Sequence, residues 1–132
     1  VLLGDYDDAV LNYCVIRLLC QPLLENSIHY SIRCPSDSLV IRIKIFEKGE
    51  VLKFHILDNG VGMEKERLRQ IRESLQSAEE QGHHIGMRNT HKRLVLTYPG
   101  NAGLTVVSHE GRGTCVRFEV PKEVGNKRGL GI

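Results

Sequence analysis

The chain has 132 residues, 41% hydrophobic and 26% charged, which suits one globular domain with its own core. A net charge of +2, 5% aromatic residues and no Trp argue against a nucleic-acid partner that needs a basic surface or stacking rings. No apolar run is long enough to span a bilayer, no signal peptide is recognisable, and Cys14, Cys20, Cys34 and Cys115 lack paired ligand spacing, which fits reduced thiols in an intracellular compartment.

Asp5 to Cys20 reads as a helix, with Val10, Tyr13, Cys14, Arg17 and Leu18 recurring along one face. Gln21-Pro22 interrupts it, and proline's tolerance in a first helical turn starts a second helix that runs to about Ser31. On that helix Asn26, His29 and Tyr30 stand at i, i+3 and i+4 and share a polar face, while Leu24 and Ile28 share a face suited to a sheet. The Asn26 amide oxygen is a hard ligand of the kind Mg²⁺ takes. Glu25, at the edge of the polar face, is placed to accept a proton. The same pattern also describes an ordinary amphipathic helix with its polar side in water. Cys34 to Ser38 is a loop by composition.

Two strands follow. Val40 to Glu47 alternates Ile41, Ile43 and Ile45 against Arg42 and Lys44, and Lys48-Gly49 turns the chain into a second strand, Val51 to Leu57. There Leu52, Phe54 and Ile56 share the buried face and His55 the other. Asp58-Asn59-Gly60-Val61-Gly62-Met63 closes this strand. It suits an Asx-type turn, and equally a loop in which a carboxylate meets a ligand's amino group while glycines let a flat ring approach. Glu64 to Gln81 is polar, with Leu68, Ile71 and Leu75 as a sparse stripe, and predicts a short helix and then a mobile loop. Gly86 to Tyr98 predicts a helix with Met87, His91, Leu94, Val95 and Tyr98 near one face, ended by Pro99-Gly100-Asn101. Gly103 to Ser108 and Thr114 to Val120 are the last strands, and residues 122–132 read as a flexible tail after a domain of residues 1–121. Consecutive strands paired as hairpins predict an α+β two-layer sandwich, its mixed, largely antiparallel sheet covered on one face by helices. His83 and His84 lack partners at a spacing that would build a structural zinc site.

Asn26 on a helix, the Asp58 loop, Gly82 to Asn89, and Gly111-Arg112-Gly113-Thr114 occur in one order. In this the sequence resembles the ATP-binding domain shared by gyrase, the heat-shock-90 chaperones, sensor histidine kinases and the MutL repair proteins, the Bergerat fold. Gln21 to Asn26 matches the N box, Asp58 to Met63 the first glycine box, and Arg88 to Leu94 the stretch after the second, as in sensor kinases of the LytS/YesM type. Over about Leu18 to Pro121 the resemblance implies that Asp58 binds the adenine amine, with Gly60, Gly62 and Met63 completing the loop around the base. It implies that Asn26 holds Mg²⁺, that Glu25 manages the proton, and that His29 and Tyr30 contact phosphate or ribose. The segment from Glu64 to Gly86 would be the lid. Gly86 and the amides of Met87, Arg88 and Asn89 would receive phosphate, as helix N-termini do, and Thr114 would back Asp58. Two residues depart from the pattern: His84 replaces the first glycine of the second box, and His29 stands where lysine is common.

The implied function is transfer of the γ-phosphoryl group of ATP to a histidine on a dimerisation domain absent from this chain, with a response regulator downstream. The chain alone is expected not to phosphorylate itself. The implied setting is the cytoplasmic domain of a membrane-anchored sensor, without membrane contact of its own. An anti-sigma-type serine kinase and a nucleotide-free interaction module share the same fold.

Overall fold

The structure, a computed structural model, describes residues 2–6, 20–31, 39–77 and 85–122. The elements in chain order are β1 (Leu2–Tyr6), α1 (Gln21–Ser31), β2 (Ile41–Lys48), β3 (Val51–Asp58), α2 (Lys65–Gln76), α3 (Ile85–Thr97), β4 (Thr105–His109) and β5 (Gly113–Pro121). The strands form one sheet in the order β1-β2-β3-β5-β4. Only the β1–β2 pairing is parallel.

Alternation along the central strands decides the layers. Leu52, Phe54 and Ile56 of β3 pair with Val120, Phe118 and Val116 of β5, and all six are buried on one side. Phe54 and Phe118 stack with ring centroids 4.6 Å apart. Leu23 of α1, Leu68, Ile71 and Leu75 of α2, and Met87 and Leu94 of α3 join the same core. The expected mixed sheet under a layer of helices is therefore observed.

Three local expectations need correction. Asp5 and Tyr6 do not begin a helix; they belong to β1, paired with Lys44 and Ile45 of β2. This edge strand is five residues long with a glycine in the middle, too short to show a period of two, and pairing with β2 satisfies its backbone. The rest of the expected first helix, residues 7–19, lies outside the described residues. On α1 the buried stripe is Leu23 and Ser27, whereas Leu24 is half-buried and Ile28 is 51% exposed. The helix is turned by about one residue, some 100°, because its start packs against α3, where a β-carbon on Gly86 would lie 3.3 Å from the Pro22 carbonyl oxygen. On α3 Val95 is exposed, and Thr90 joins Met87, His91, Leu94 and Tyr98 inside.

The expected mobile loop and tail fall mostly on residues 78–84 and 123–132, outside the described residues. Lys122 is tied to the β2–β3 turn: its N–H donates to the Glu50 carbonyl at 3.0 Å and its ammonium lies 3.7 Å from Glu47.

Candidate nucleotide site

The site forms where β3 ends in the middle of the sheet. Asp58 is the last residue of β3, half-buried and in register with Thr114 at the start of β5. Its Oδ1 accepts the N–H of Gly60 at 3.0 Å and the N–H of Thr114 at 3.3 Å. Two main-chain donors thus fix the carboxylate plane, while Oδ2 keeps its lone pairs free of any partner among the described residues. A fixed acceptor with one oxygen open, at the rim of a core, is what a neutral amino group of a bound ring requires.

The loop after Asp58 is pinned from both sides. Asn59 Oδ1 accepts the Val40 N–H at 2.7 Å, and the Asn59 N–H donates to the Val40 carbonyl at 3.3 Å. On the other side the Gly111 N–H donates to the Val61 carbonyl at 2.7 Å. Gly62 has φ +69°, and a β-carbon there would sit 2.0 Å from the His109 carbonyl oxygen. Gly113 answers it from the β4–β5 turn with φ +114°, where a β-carbon would sit 2.0 Å from the Asp58 carbonyl oxygen. Both glycines are therefore required by backbone against backbone, before any ligand is considered.

Ser108 joins these pieces, and nothing in its own neighbourhood of the sequence marks it. Its buried hydroxyl accepts the Met63 N–H at 2.9 Å and donates to the Gly113 carbonyl at 3.0 Å. Having one proton, it must then accept from the Thr114 hydroxyl, 2.8 Å away. Thr114 thus supports Asp58 through its main chain, and its hydroxyl points into the Ser108 network. The only sequence signal was alternation, which places Ser108 on the core side of β4 next to Val106.

Helix α1 supplies Glu25, exposed and held by the Gln21 amide at 3.1 Å, and Asn26, half-buried. His29 and Tyr30 lie in its last turn, with their side chains outside the described set. The close approach of Gly86 to Pro22 brings the start of α3 beside the start of α1. Near the start of α3, Met87 is fully buried, so toward a ligand it has only its main chain, and Asn89 is exposed. The Arg88 side chain is buried and turned elsewhere: its Nη2 donates to the Ser77 carbonyl, the C-cap of α2, at 2.9 Å, and its Nε has no partner. His84 and Gly82 lie outside the described residues.

Among the described residues no three of His, Cys, Asp and Glu gather into a metal site. A divalent ion here would rest on the Asn26 amide oxygen, water and phosphate, a donor set that suits Mg²⁺, which keeps several waters. Cys20 and Cys115 are free thiols, and burial pushes Cys20 up to about 11.

Residues 15–124 match the profile of the histidine kinase-, DNA gyrase B- and HSP90-like ATPases. The sensor protein kinase HptS of Staphylococcus aureus (strain USA300) is 29% identical over 110 residues, 83% of this chain and 21% of that protein. Among solved structures, the catalytic domain of histidine kinase ThkA superposes with a TM-score of 0.65 at 14% identity, over 94% of this chain and 80% of that one. The histidine kinase domain of the blue-light-activated histidine kinase of Erythrobacter litoralis EL346 gives 0.57 at 18% identity, over 92% and 51%. The chain belongs to the histidine kinase-, DNA gyrase B- and HSP90-like ATPases. It spans about a fifth of the length of the curated relatives it matches.

Proposed function

We propose that this chain is the catalytic domain of a two-component sensor histidine kinase, which passes the γ-phosphoryl group of ATP to a histidine on a separate dimerisation domain. The observation that carries this reading is the Asp58 carboxylate, with one oxygen anchored by two main-chain donors and the other open. Asp58 reads the adenine amine; Gly60, Gly62 and Met63 hold the loop beside the base. Gly86 and the amide of Met87 offer the unpaired donors of a helix start to the phosphates, with Arg88 and Asn89 flanking them one turn inside α3. Asn26 holds Mg²⁺, which supplies charge neutralisation on the phosphates. Glu25 accepts or relays the proton of the attacking imidazole, while His29 and Tyr30 face phosphate or ribose.

Catalysis in this reading is mostly positioning, because phosphoryl transfer asks little covalent chemistry of the protein. The acceptor histidine lies on a dimerisation domain of the same full-length protein, the response regulator acts downstream, and the intact protein is a membrane-anchored sensor with this domain in the cytoplasm. The test is to supply the full-length protein and the isolated chain with γ-labelled ATP and Mg²⁺. Label that is acid-labile and base-stable, on the full-length protein and not on the isolated chain, is the expected result. Phosphoserine on a partner protein, or label on the isolated chain, contradicts it.

A further inference from the structure

The sheet face turned away from the helices is strongly patterned in charge. Alternation from the registers places Arg42, Lys44 and Lys48 of β2, Lys53 of β3 and Arg117 of β5 on this face. Among the described residues only Asp5 of β1 and Glu119 of β5 oppose them on this face. Five cations against two carboxylates leave a surplus of three on one face of a chain whose whole charge is +2.

The middle of the face is a row of Lys44, His55 and Arg117, side by side on three neighbouring strands. At the usual strand spacing the row is about 10 Å wide. Asp5 of β1 stands across from Lys44 at one end of the row, whereas Arg117 lies between His55 and Thr105 with no carboxylate across from it. One row along, Lys53 and Glu119 show the neutralised alternative, an ion pair at 3.5 Å. Arg42, Lys44 and Arg117 take part in no ion pair among the described residues, and Arg117 spends its Nε on the Cys115 sulfur at 3.4 Å. The field of Arg117, Lys53 and Lys44 adds to burial in holding the His55 imidazole below its ordinary pKa. Phe46 meets that imidazole edge-on, with centroids 5.1 Å apart, and leaves 37% of its surface exposed as an apolar contact.

We propose that this face of the sheet, centred on Lys44, His55 and Arg117, docks an acidic surface of a partner protein. Charge complementarity selects the occupant. A phosphodiester chain or an anionic bilayer presents one sign throughout and would meet Asp5 and Glu119 with repulsion. Sheet readers of RNA stack bases on two or three aromatic rings, and Phe46 is the sole exposed aromatic among the described residues of this face. A protein surface places carboxylates over the cationic row and its own cations over Asp5 and Glu119, and such complementarity sets encounter rate and specificity.

The test is a titration of the ¹⁵N-labelled chain with a short peptide rich in Glu and Asp, compared with a single-stranded oligothymidylate and with phosphatidylserine vesicles. The expected result is peptide-induced shifts clustered on residues 42–46, 53–57 and 115–119, with the His55 imidazole titrating at higher pH when peptide is bound. Lys44→Glu with Arg117→Glu should weaken the peptide by about tenfold or more and leave ATP binding unchanged. The milder Lys44→Gln with Arg117→Gln serves if the double reversal fails to fold. Shifts elsewhere, binding insensitive to both variants, no peptide binding, or tighter binding of the oligonucleotide or vesicles would overturn the proposal.

Discussion

At the scale of single residues, Ser108 and His91 are buried polar groups that each accept a main-chain N–H from a distant segment. Ser108→Ala leaves the buried Met63 N–H without an acceptor, and an orphaned buried donor costs about 1–3 kcal/mol. The expected outcome is an unfolding free energy lowered by that amount, seen as a lower urea midpoint with an unchanged slope; an unaltered midpoint would mean that water replaces the hydroxyl. His91 is buried on α3, and its Nδ1 accepts the Leu104 N–H at 3.0 Å. Burial lowers its pKa, so the folded form holds the neutral ring while the unfolded form takes up a proton near the ordinary value of about 6.5. Stability is accordingly complete above that value and falls as pH drops below it toward the lower folded-state pKa. Unfolding free energies measured between pH 7.5 and 5.5 should show this decline, and His91→Gln, which keeps an acceptor, should make it shallower, leaving the part that His55 contributes. An undiminished slope in the variant would assign the proton to another group. His55 is lowered in the same direction and acts in the same window.

At the scale of elements, the contact between Arg88 and Ser77 links the start of α3 to the end of α2. A cation suits the carbonyl end of a helix, yet this guanidinium is buried with Nε unpaired and has no carboxylate in an ion pair among the described residues. Arg88→Met should therefore change global stability little, because an apolar chain of similar length replaces a costly buried charge. Amide exchange in the last turn of α2 should accelerate in this variant; unchanged exchange there would show that Ser77 is held by other contacts.

Which elements could be read in advance follows from the range of the forces that set them. The β2–β3 hairpin and the Asp58 loop were legible because a two-residue turn and strict alternation are local signals. Ser108 was not, since its bond to Met63 spans 45 positions and exists only once β4 and β5 fold back on the loop. The rotation of α1, from Leu24 and Ile28 to Leu23 and Ser27, is set by Gly86 packing on Pro22, a tertiary contact that overrides a two-residue apolar stripe. β1 was hidden for the same reason: its identity lies in the edge of β2. Gly62 was read as room for a ligand, and the structure adds a second cause, the crossing of two turns, which requires Gly113 as well.

At the scale of the whole molecule, one face of the sheet builds the core and the proposed nucleotide site, and the other is left to charge. The central strands β3 and β5 carry both functions, since Asp58 and Thr114 end the same ladder that aligns His55 with Arg117. Family membership makes the helical side an ATP-binding layer as a class, and the proposed role of Asp58 is to select the purine. Calorimetric titration of ATP with Mg²⁺ into the wild type and Asp58→Asn tests it most directly. Asn at 58 can still accept from Gly60 and Thr114 through Oδ1, so the fold is kept while the open acceptor becomes a donor. Loss of a hydrogen bond to a charged group predicts binding weaker by about 1.5–3 kcal/mol, roughly 10- to 150-fold. Equal affinity in a variant that melts like the wild type would contradict the claim and remove Asp58 from the site.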